Sequence, residues 1–415
     1  MSDRDRRGWI IVGAICVAMF FIWGAINSSA VFFVPVLKYF GWTRAKFSVA
    51  MSIGWVTGGA AGPLIGWLAD RVNPKKMIVV GATITGVLYI LLSRATTFGA
   101  FLAINALFGI CVGASTTIPC SILIASWFER QRGLAIGIAF AAAPIGGAGM
   151  TPLANYIVTV AGWRAGYFAI GLPIVVVVVP LVVLLVRPAN SGDTDASATS
   201  ADAPVPAPIE VSGFELGQAR KTRSFWLICA VQFLVGSTLG MGPHYIAYLT
   251  GLGYSAAFAA SVLSMFLVMT TVGALLGGPF ADRVGARTAM IVTCILGALG
   301  AAGLMSAAHA LGLAVMILAA GFALGAYGVQ MPLVIIESLG VKRFGSLMGV
   351  TGVFYTIGAF ISPIVAGRIF DVTGSYGIEI ASFVVMFMVG AVALIGCRTL
   401  AGEEAQFTAS ASVAA

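Results

Sequence analysis

The sequence predicts an all-α membrane protein, with twelve transmembrane helices arranged as two six-helix bundles. Three observations carry that expectation. Of 415 residues, 60% are hydrophobic and only 9% charged, against roughly 25% charged in an ordinary soluble domain, and the mean hydropathy is +1.02. The apolar residues gather in runs of about 20 or more, the length of helix that crosses a hydrocarbon core about 30 Å thick. The chain also repeats itself at a displacement of 212 residues.

Such a composition leaves too little polar surface for a soluble enzyme or a disordered chain. The net charge of +8 does not mark a nucleic-acid-binding domain, because the basic residues fall in short clusters between apolar runs. Clusters of that kind report membrane topology, since Lys and Arg collect on the cytoplasmic side.

In chain order, the first six runs span approximately 9–37, 45–69, 76–95, 99–127, 133–160 and 165–186. The first is too long for the apolar region of a cleaved signal peptide. Residues 187–222, opening at Arg187, are rich in Ser, Asp, Pro and Ala and end in the basic stretch Arg220–Arg223, a composition that predicts a flexible linker. Six further runs follow at about 224–250, 257–281, 287–308, 311–336, 345–369 and 376–397. Short polar turns separate them, among them Asp70–Lys76, Glu129–Arg132 and Lys342–Arg343, and none shows the two-residue alternation of a barrel strand. The expected organisation is an N-terminal bundle (1–186), a cytoplasmic linker (187–222), a C-terminal bundle (223–397) and a disordered cytoplasmic tail (398–415). Cys16, Cys111, Cys120, Cys229, Cys294 and Cys397 lie in apolar runs without a CxxC or Cys/His cluster, as small buried residues do.

The repeat is carried by two separate matches. Gly66–Lys76 (GWLADRVNPKK) returns as Gly278–Arg287 (GPFADRVGAR), and Gly133–Gly137 (GLAIG) returns as Gly345–Gly349 (GSLMG), each 212 residues later. A six-helix unit used twice is a common transporter architecture, with the substrate site between the halves near the midplane. Gly66 and Gly278 permit close helix approach at a helix end. Asp70 and Asp282 can then accept hydrogen bonds from a neighbouring helix amino terminus or a basic side chain. Arg71 and Arg283 can bridge to other carboxylates. These six residues form an expected latch between the halves.

With these residues in view, the chain resembles the major facilitator superfamily over nearly its whole length, because Gly-xxx-Asp-Arg-x-x-x-Lys/Arg is that superfamily's signature between its second and third helices. Val31-Phe32-Phe33, Phe40–Arg44 (FGWTR), Trp127–Gly133 (WFERQRG), Phe225-Trp226, Asp371–Tyr376 (DVTGSY) and His244 followed by Tyr248 and Gly253 are similar to the monocarboxylate porter and oxalate–formate antiporter branch. The resemblance implies a rocker-switch carrier of small organic acids, often coupled to protons or to counter-exchange. The chain also departs from that branch. Ala274 stands where related carriers place a substrate-holding Arg, Asn27 where animal monocarboxylate carriers have a Lys, and 345–367 lacks the Lys of oxalate carriers. Asn105 replaces an Arg found in many proton-coupled drug antiporters. The resemblance therefore comes without its cationic carboxylate clamp.

No Asp, Glu, Lys or Arg falls mid-span, and Glu337 and Glu379 fall at helix ends where both are expected to reach water. Selectivity then rests on neutral polar groups, aromatics and shape. The resemblance implies that the first, fourth, seventh and tenth helices line the path. The candidates there are Trp23 and Asn27, four residues apart on one helix face, Thr116, Gln232, His244, Tyr248, Tyr327 and Gln330, with Tyr355 from the eleventh. Ser and Thr in membrane helices often bond their own backbone, so Thr116 is a candidate for either role. Asn27, Gln232 and Gln330 satisfy their amides locally less readily and divide between packing and path. Gly236, Gly240, Gly242 and Pro243 mark a bendable outer half of the seventh helix, either a gate or a close-packing surface, with Pro119 and Pro332 as further flexible points. His244 lies near the outer face, where external protons would reach it.

The sequence shows no nucleotide-binding loop, metal cluster or catalytic constellation, so no enzyme activity, metal or cofactor is expected. The expected function is a monomeric secondary transporter of a small organic anion, a monocarboxylate, in the inner cell membrane, driven by protons or a counter-exchanged anion. The alternative is a carrier or exporter of neutral, zwitterionic or hydrophobic small molecules; a non-transporting sensor is a third reading, but it would need an output domain that the sequence lacks. With the amino terminus inside, 17 of 23 Lys and Arg fall on the cytoplasmic side, which predicts two cytoplasmic termini. Reporter fusions at Ala189 and Ala415 are therefore expected to report cytoplasm, and a signal from the opposite face at either would overturn the topology.

Overall fold

A computed structural model describes residues 3–128, 131–186 and 212–405. Apolar runs fold as helices here because lipid leaves backbone N–H and C=O groups no other partners. In the first half, α1 (Asp3–Asn27) continues through a 3-10 turn (Ser28–Phe32) into Phe33–Phe40. The two pieces of α2 (Arg44–Ala60 and Gly62–Ala69) meet at a bend of 47°. Asn73 caps α3 (Pro74–Arg94), its side chain accepting from Lys75 N. α4 is broken at Thr116 into Phe98–Ser115 and Thr117–Trp127. Pro119 accounts for the break: it has no N–H to offer the Ser115 carbonyl, which instead meets Cys120 Sγ at 3.7 Å.

The stretch Arg132–Leu185 is 54 residues long, more than twice what one crossing requires. It turns back at Gly162, whose φ of 84° and ψ of 167° suit a residue without a Cβ. Residues 132–161 are α5 and 163–185 are α6. In the second half, α7 runs through Arg223–Ser237, a 3-10 segment Thr238–His244 and Tyr245–Gly251. α8 (Ala256–Val284), α9 (Ala286–Met305), α10 (Ala310–Val315 through Met316–Ala320 to Gly321–Leu339), α11 (Phe344–Thr373) and α12 (Gly377–Ile395) complete the set. The described residues make twelve crossings.

Two segments expected to lack structure are partly ordered. Residues 187–211 of the linker lie outside the described residues, but 212–222 pack on the second half. Gly213 forms an isolated antiparallel bridge with Gly340, and Phe214 is buried. Glu215 closes a capping box on the turn Leu216–Ala219 and sits 3.8 Å and 3.9 Å from Lys342 and Arg343. Within the tail, Glu403 is buried and accepts from the N–H and hydroxyl of Ser224, so it caps the start of α7. Residues 406–415 lie outside the described residues. Burial and a free helix amino terminus give these polar segments a reason to order that composition alone does not show.

The halves meet chiefly along α2–α11 and α5–α8. The approach is close enough that a Cβ on Gly66 would overlap the Gly345 carbonyl and one on Gly278 the Gly133 carbonyl. Gly66→Ala and Gly278→Ala are each expected to cost about 1–3 kcal/mol by overpacking and to lower the thermal midpoint of the purified protein, whereas Gly99→Ala, with open space around it, should not. Equal midpoints in all three variants would count against this packing.

Candidate functional site

The best-defined polar contacts between the halves are reciprocal. Asp70, at the end of α2, accepts from Gly345 N at 2.7 Å and Ser346 N at 2.8 Å, and Ser346 Oγ donates to it as well. Asp282, near the end of α8, accepts from Gly133 N at 2.9 Å and Leu134 N at 3.0 Å. Each half thus offers one carboxylate to the amino terminus of a helix in the other, α11 or α5. Free N–H groups and the helix dipole make those termini natural anion sites. The carboxylates reach them because Gly66 faces Gly345 and Gly278 faces Gly133. We refer to this end of the bundle as the latch end. In this structure it is closed.

Among the described residues, the arginines of the motif make no ion pair with a carboxylate. Arg71 lies over the Trp67 ring at 4.1 Å, and neither Arg71 nor Arg283 makes an ion pair with a described carboxylate among the contacts resolved. Glu337 serves α9, accepting from Ala286 N at 2.6 Å and Arg287 N at 3.3 Å. Among the described residues, carboxylate-on-helix contacts organise this end.

Deeper in the second half the structure brings together Gln232 (α7), Tyr327 (α10) and Tyr355 (α11). Tyr327 Oη donates to Gln232 Oε1, and the two tyrosine rings stack with centroids 5.7 Å apart. Gln330 is fully buried; its Oε1 accepts from Thr293 Oγ1 at 2.8 Å and its Nε2 donates to Gly277 O at 3.1 Å. Both ends of that amide are occupied within the bundle. A cavity of about 170 Å³ between α7, α8, α9, α10 and α12 has Tyr327, Thr293, Tyr245 and Phe383 in its wall.

In the first half, Asn27 is exposed and donates to the Trp23 carbonyl at 2.9 Å, its side chain lying against Gly147. Trp23 faces Trp55 of α2 at 6.4 Å. Thr116 is buried at the α4 break and donates to Val112 O at 2.7 Å, and Asn105 donates to Phe101 O at 2.8 Å. Asn27, expected to satisfy its amide less readily within its own helix, does bond its own backbone.

At the end opposite the latch, Tyr248 Oη donates to Leu304 O at 2.9 Å, which directs it to α9 rather than to Gln232 and Tyr355. His244 Nδ1 is 3.1 Å from Tyr376 Oη, in the turn before α12. Burial, first of all, holds the Tyr376 phenol above its usual pKa. The outer half of α7 does change conformation at Thr238, and its glycines also serve close packing: a Cβ on Gly236 would overlap the Tyr355 carbonyl. Glu379 corrects a sequence expectation. It is only 2% exposed, and neither carboxylate oxygen has a hydrogen-bond partner among the described residues. Its place at a helix start suggested water access, but the first turn of α12 points it inward at α7 and α11. Ser346, Thr293 and Glu403 also went unrecognised; only Ser346, beside a repeated glycine, carried a sequence signal.

Two six-helix halves joined by a duplicated, reciprocal contact are the architecture of a membrane transporter. The Major Facilitator Superfamily profile matches residues 14–363 and, overlapping, 245–406, and the chain belongs to that superfamily. Monocarboxylate transporter 13 of Bos taurus is 26% identical over 402 residues, covering 95% of this chain and 88% of its own. A probable sulfoacetate transporter of Cupriavidus necator is 25% identical over 420 residues, covering 95% and 94%. Among solved structures, the proton:xylose symporter XylE superposes with a TM-score of 0.73 at 13% identity, covering 97% of this chain and 100% of that one. FucP in the outward conformation gives 0.68 at 16%, covering 94% and 98%.

Asp70→Asn and Asp282→Asn are each expected to weaken the closed latch, since a hydrogen bond to a charged group contributes about 1.5–3 kcal/mol. Transport should fall several-fold while membrane insertion is retained. Wild-type initial rates in both variants, at matched expression, would remove the latch from the mechanism.

Proposed function

We propose that this protein is a secondary transporter that carries a small organic anion, a monocarboxylate, by alternating access, with a proton or a counter-exchanged anion supplying the driving force. The observation that carries the reading is the reciprocal Asp70 and Asp282 contact. It joins one end of the bundle by hydrogen bonds, a closure that forms and breaks without covalent change. Relatives named as monocarboxylate and sulfoacetate transporters support a carboxylate substrate. The distribution of basic residues supports a latch on the cytoplasmic side of the inner membrane, with both termini on that side. We take the monomer as the working unit, since each latch is completed within one chain.

One observation favours a second reading, a neutral or zwitterionic solute: no Lys or Arg stands mid-span to meet a carboxylate. The same fact limits the first. A dianion such as oxalate would lose hydration with no cation to replace it, at a cost of several kcal/mol, whereas a monoanion can be met by amides, hydroxyls and ring edges, or travel with a proton. Trp23, Asn27, Gln232, Tyr327 and Tyr355 are the groups we assign to the path; Thr116, Gln330, His244 and Tyr248 act on it through packing.

Reconstituted protein in proteoliposomes, offered lactate, pyruvate, oxalate, small amino acids and sugars, tests both readings. Saturable lactate or pyruvate uptake that oxalate competes with poorly is expected. Tight oxalate exchange without monocarboxylate competition would overturn the anion assignment, and uptake confined to amino acids or sugars would establish the second reading.

A further inference from the structure

The described carboxylates Asp70, Asp282, Glu337 and Glu403 each sit on backbone N–H groups. Glu379 does not. It is buried at the start of α12 with both oxygens unpartnered among the described residues. A carboxylate so placed is far costlier to ionise than one in water, and an ionisable group within the membrane region is by default a functional one.

Its surroundings follow the internal repeat. Displaced by 212 residues, Glu379 corresponds to Tyr167 and His244 to Phe32. In the first half those two rings stack, with centroids 3.9 Å apart and planes 15° apart, an uncharged contact between α6 and the 3-10 turn that follows α1. In the second half the same two positions hold a carboxylic acid and an imidazole. The 3-10 segment Thr238–His244 closes over the acid: a Cβ on Gly240 would lie 2.7 Å from Glu379 Oε1 and would overlap Ser362 Oγ, which itself donates to Ser237 O. The titratable groups around it are Tyr245 from α7 and Tyr376 from the turn before α12, with His244 and Asp371 reached through Tyr376. Arg368, the basic residue of α11, makes no hydrogen bond with it.

We infer that Glu379 is a proton-binding site of the second half, holding a proton while segment 238–244 is packed against α11 and α12 and losing it to water when that segment swings away. The O–H bond of the carboxylic acid breaks on opening, the proton passes to water at the end opposite the latch, and the carboxylate left behind is hydrated until closure requires a proton again. Coupling of this step to solute movement rests on the transporter reading above; the binding of the proton does not.

Infrared spectroscopy of the purified full-length protein at neutral pH tests the site without any solute. The C=O stretch of a neutral carboxylic acid is expected in the wild type, lost in Glu379→Gln and shifted but present in Glu379→Asp. Absence of the band from the wild type, or its survival in Glu379→Gln, would overturn the site. Lactate accumulation in proteoliposomes tests the coupling. A pH gradient of one unit sustains up to about tenfold accumulation at one proton per solute, and Glu379→Gln should reduce that ratio to about one. Gradient-driven accumulation equal to wild type in Glu379→Gln would overturn the coupling. If the wild type accumulates no lactate on the pH gradient, proton-driven lactate transport fails, and the infrared band still decides the proton site.

Discussion

An aspartate carboxylate resting on the first turn of a helix from the opposite half is the contact on which the arrangement of this molecule depends. Asp70 on α11 and Asp282 on α5 hold together two bundles that otherwise share apolar helix faces, and lipid gives such faces little reason to associate specifically. The contact needs bare backbone on both sides, which is why glycine faces glycine at each crossing. Its strength suits its task. A few charge-assisted hydrogen bonds at a half-exposed helix end are enough to bias two conformations, since about 5.5 kcal/mol takes a population from one extreme to the other. A buried ion pair in the same place would be harder to release.

Much of the fold was legible because membrane physics compresses the choices. Runs of the right length must be helices, and even the longest apolar stretch separates into two crossings once the glycine at 162, followed by Trp163 and Arg164, is read as a turn. The positions of the two aspartates were legible for a related reason: a pattern that occurs twice at one displacement constrains position, although the sequence left a helix end and a basic side chain both open as partners. What the sequence does not carry is azimuth. Position along a helix axis follows from counting, but the direction a side chain faces changes by about 100° per residue and slips further wherever a 3-10 or π turn intervenes. Tyr248 follows such a segment in α7 and turns to α9. Glu379 begins a helix and turns inward.

Polar side chains selected for a solute path are largely engaged with the protein itself. Gln330 is bonded at both ends of its amide, and Gln232 is held by Tyr327. In a medium without water, an amide left open costs more than one closed on a neighbour, so neutral polar groups order the bundle first and meet a solute second. In the transport reading proposed above, the open face of Asn27 and the half-buried ring of Tyr355 are the groups left for recognition. Specificity in that reading rests more on the shape set by Trp23, Trp55 and the stacked tyrosines than on a charged anchor.

The reciprocity of the two aspartate contacts has an ancestral reading. If the halves were separate copies of one six-helix protein, each contact would be the symmetry mate of the other, and the pair would form an isologous interface closed by a single two-fold axis. Such a dimer would open and shut with no element unique to either subunit. Joining the copies in one chain frees them to diverge while the shared interface persists. A stacked Phe32 and Tyr167 on one side, and a histidine and a glutamate at the matching positions on the other, are what that freedom looks like.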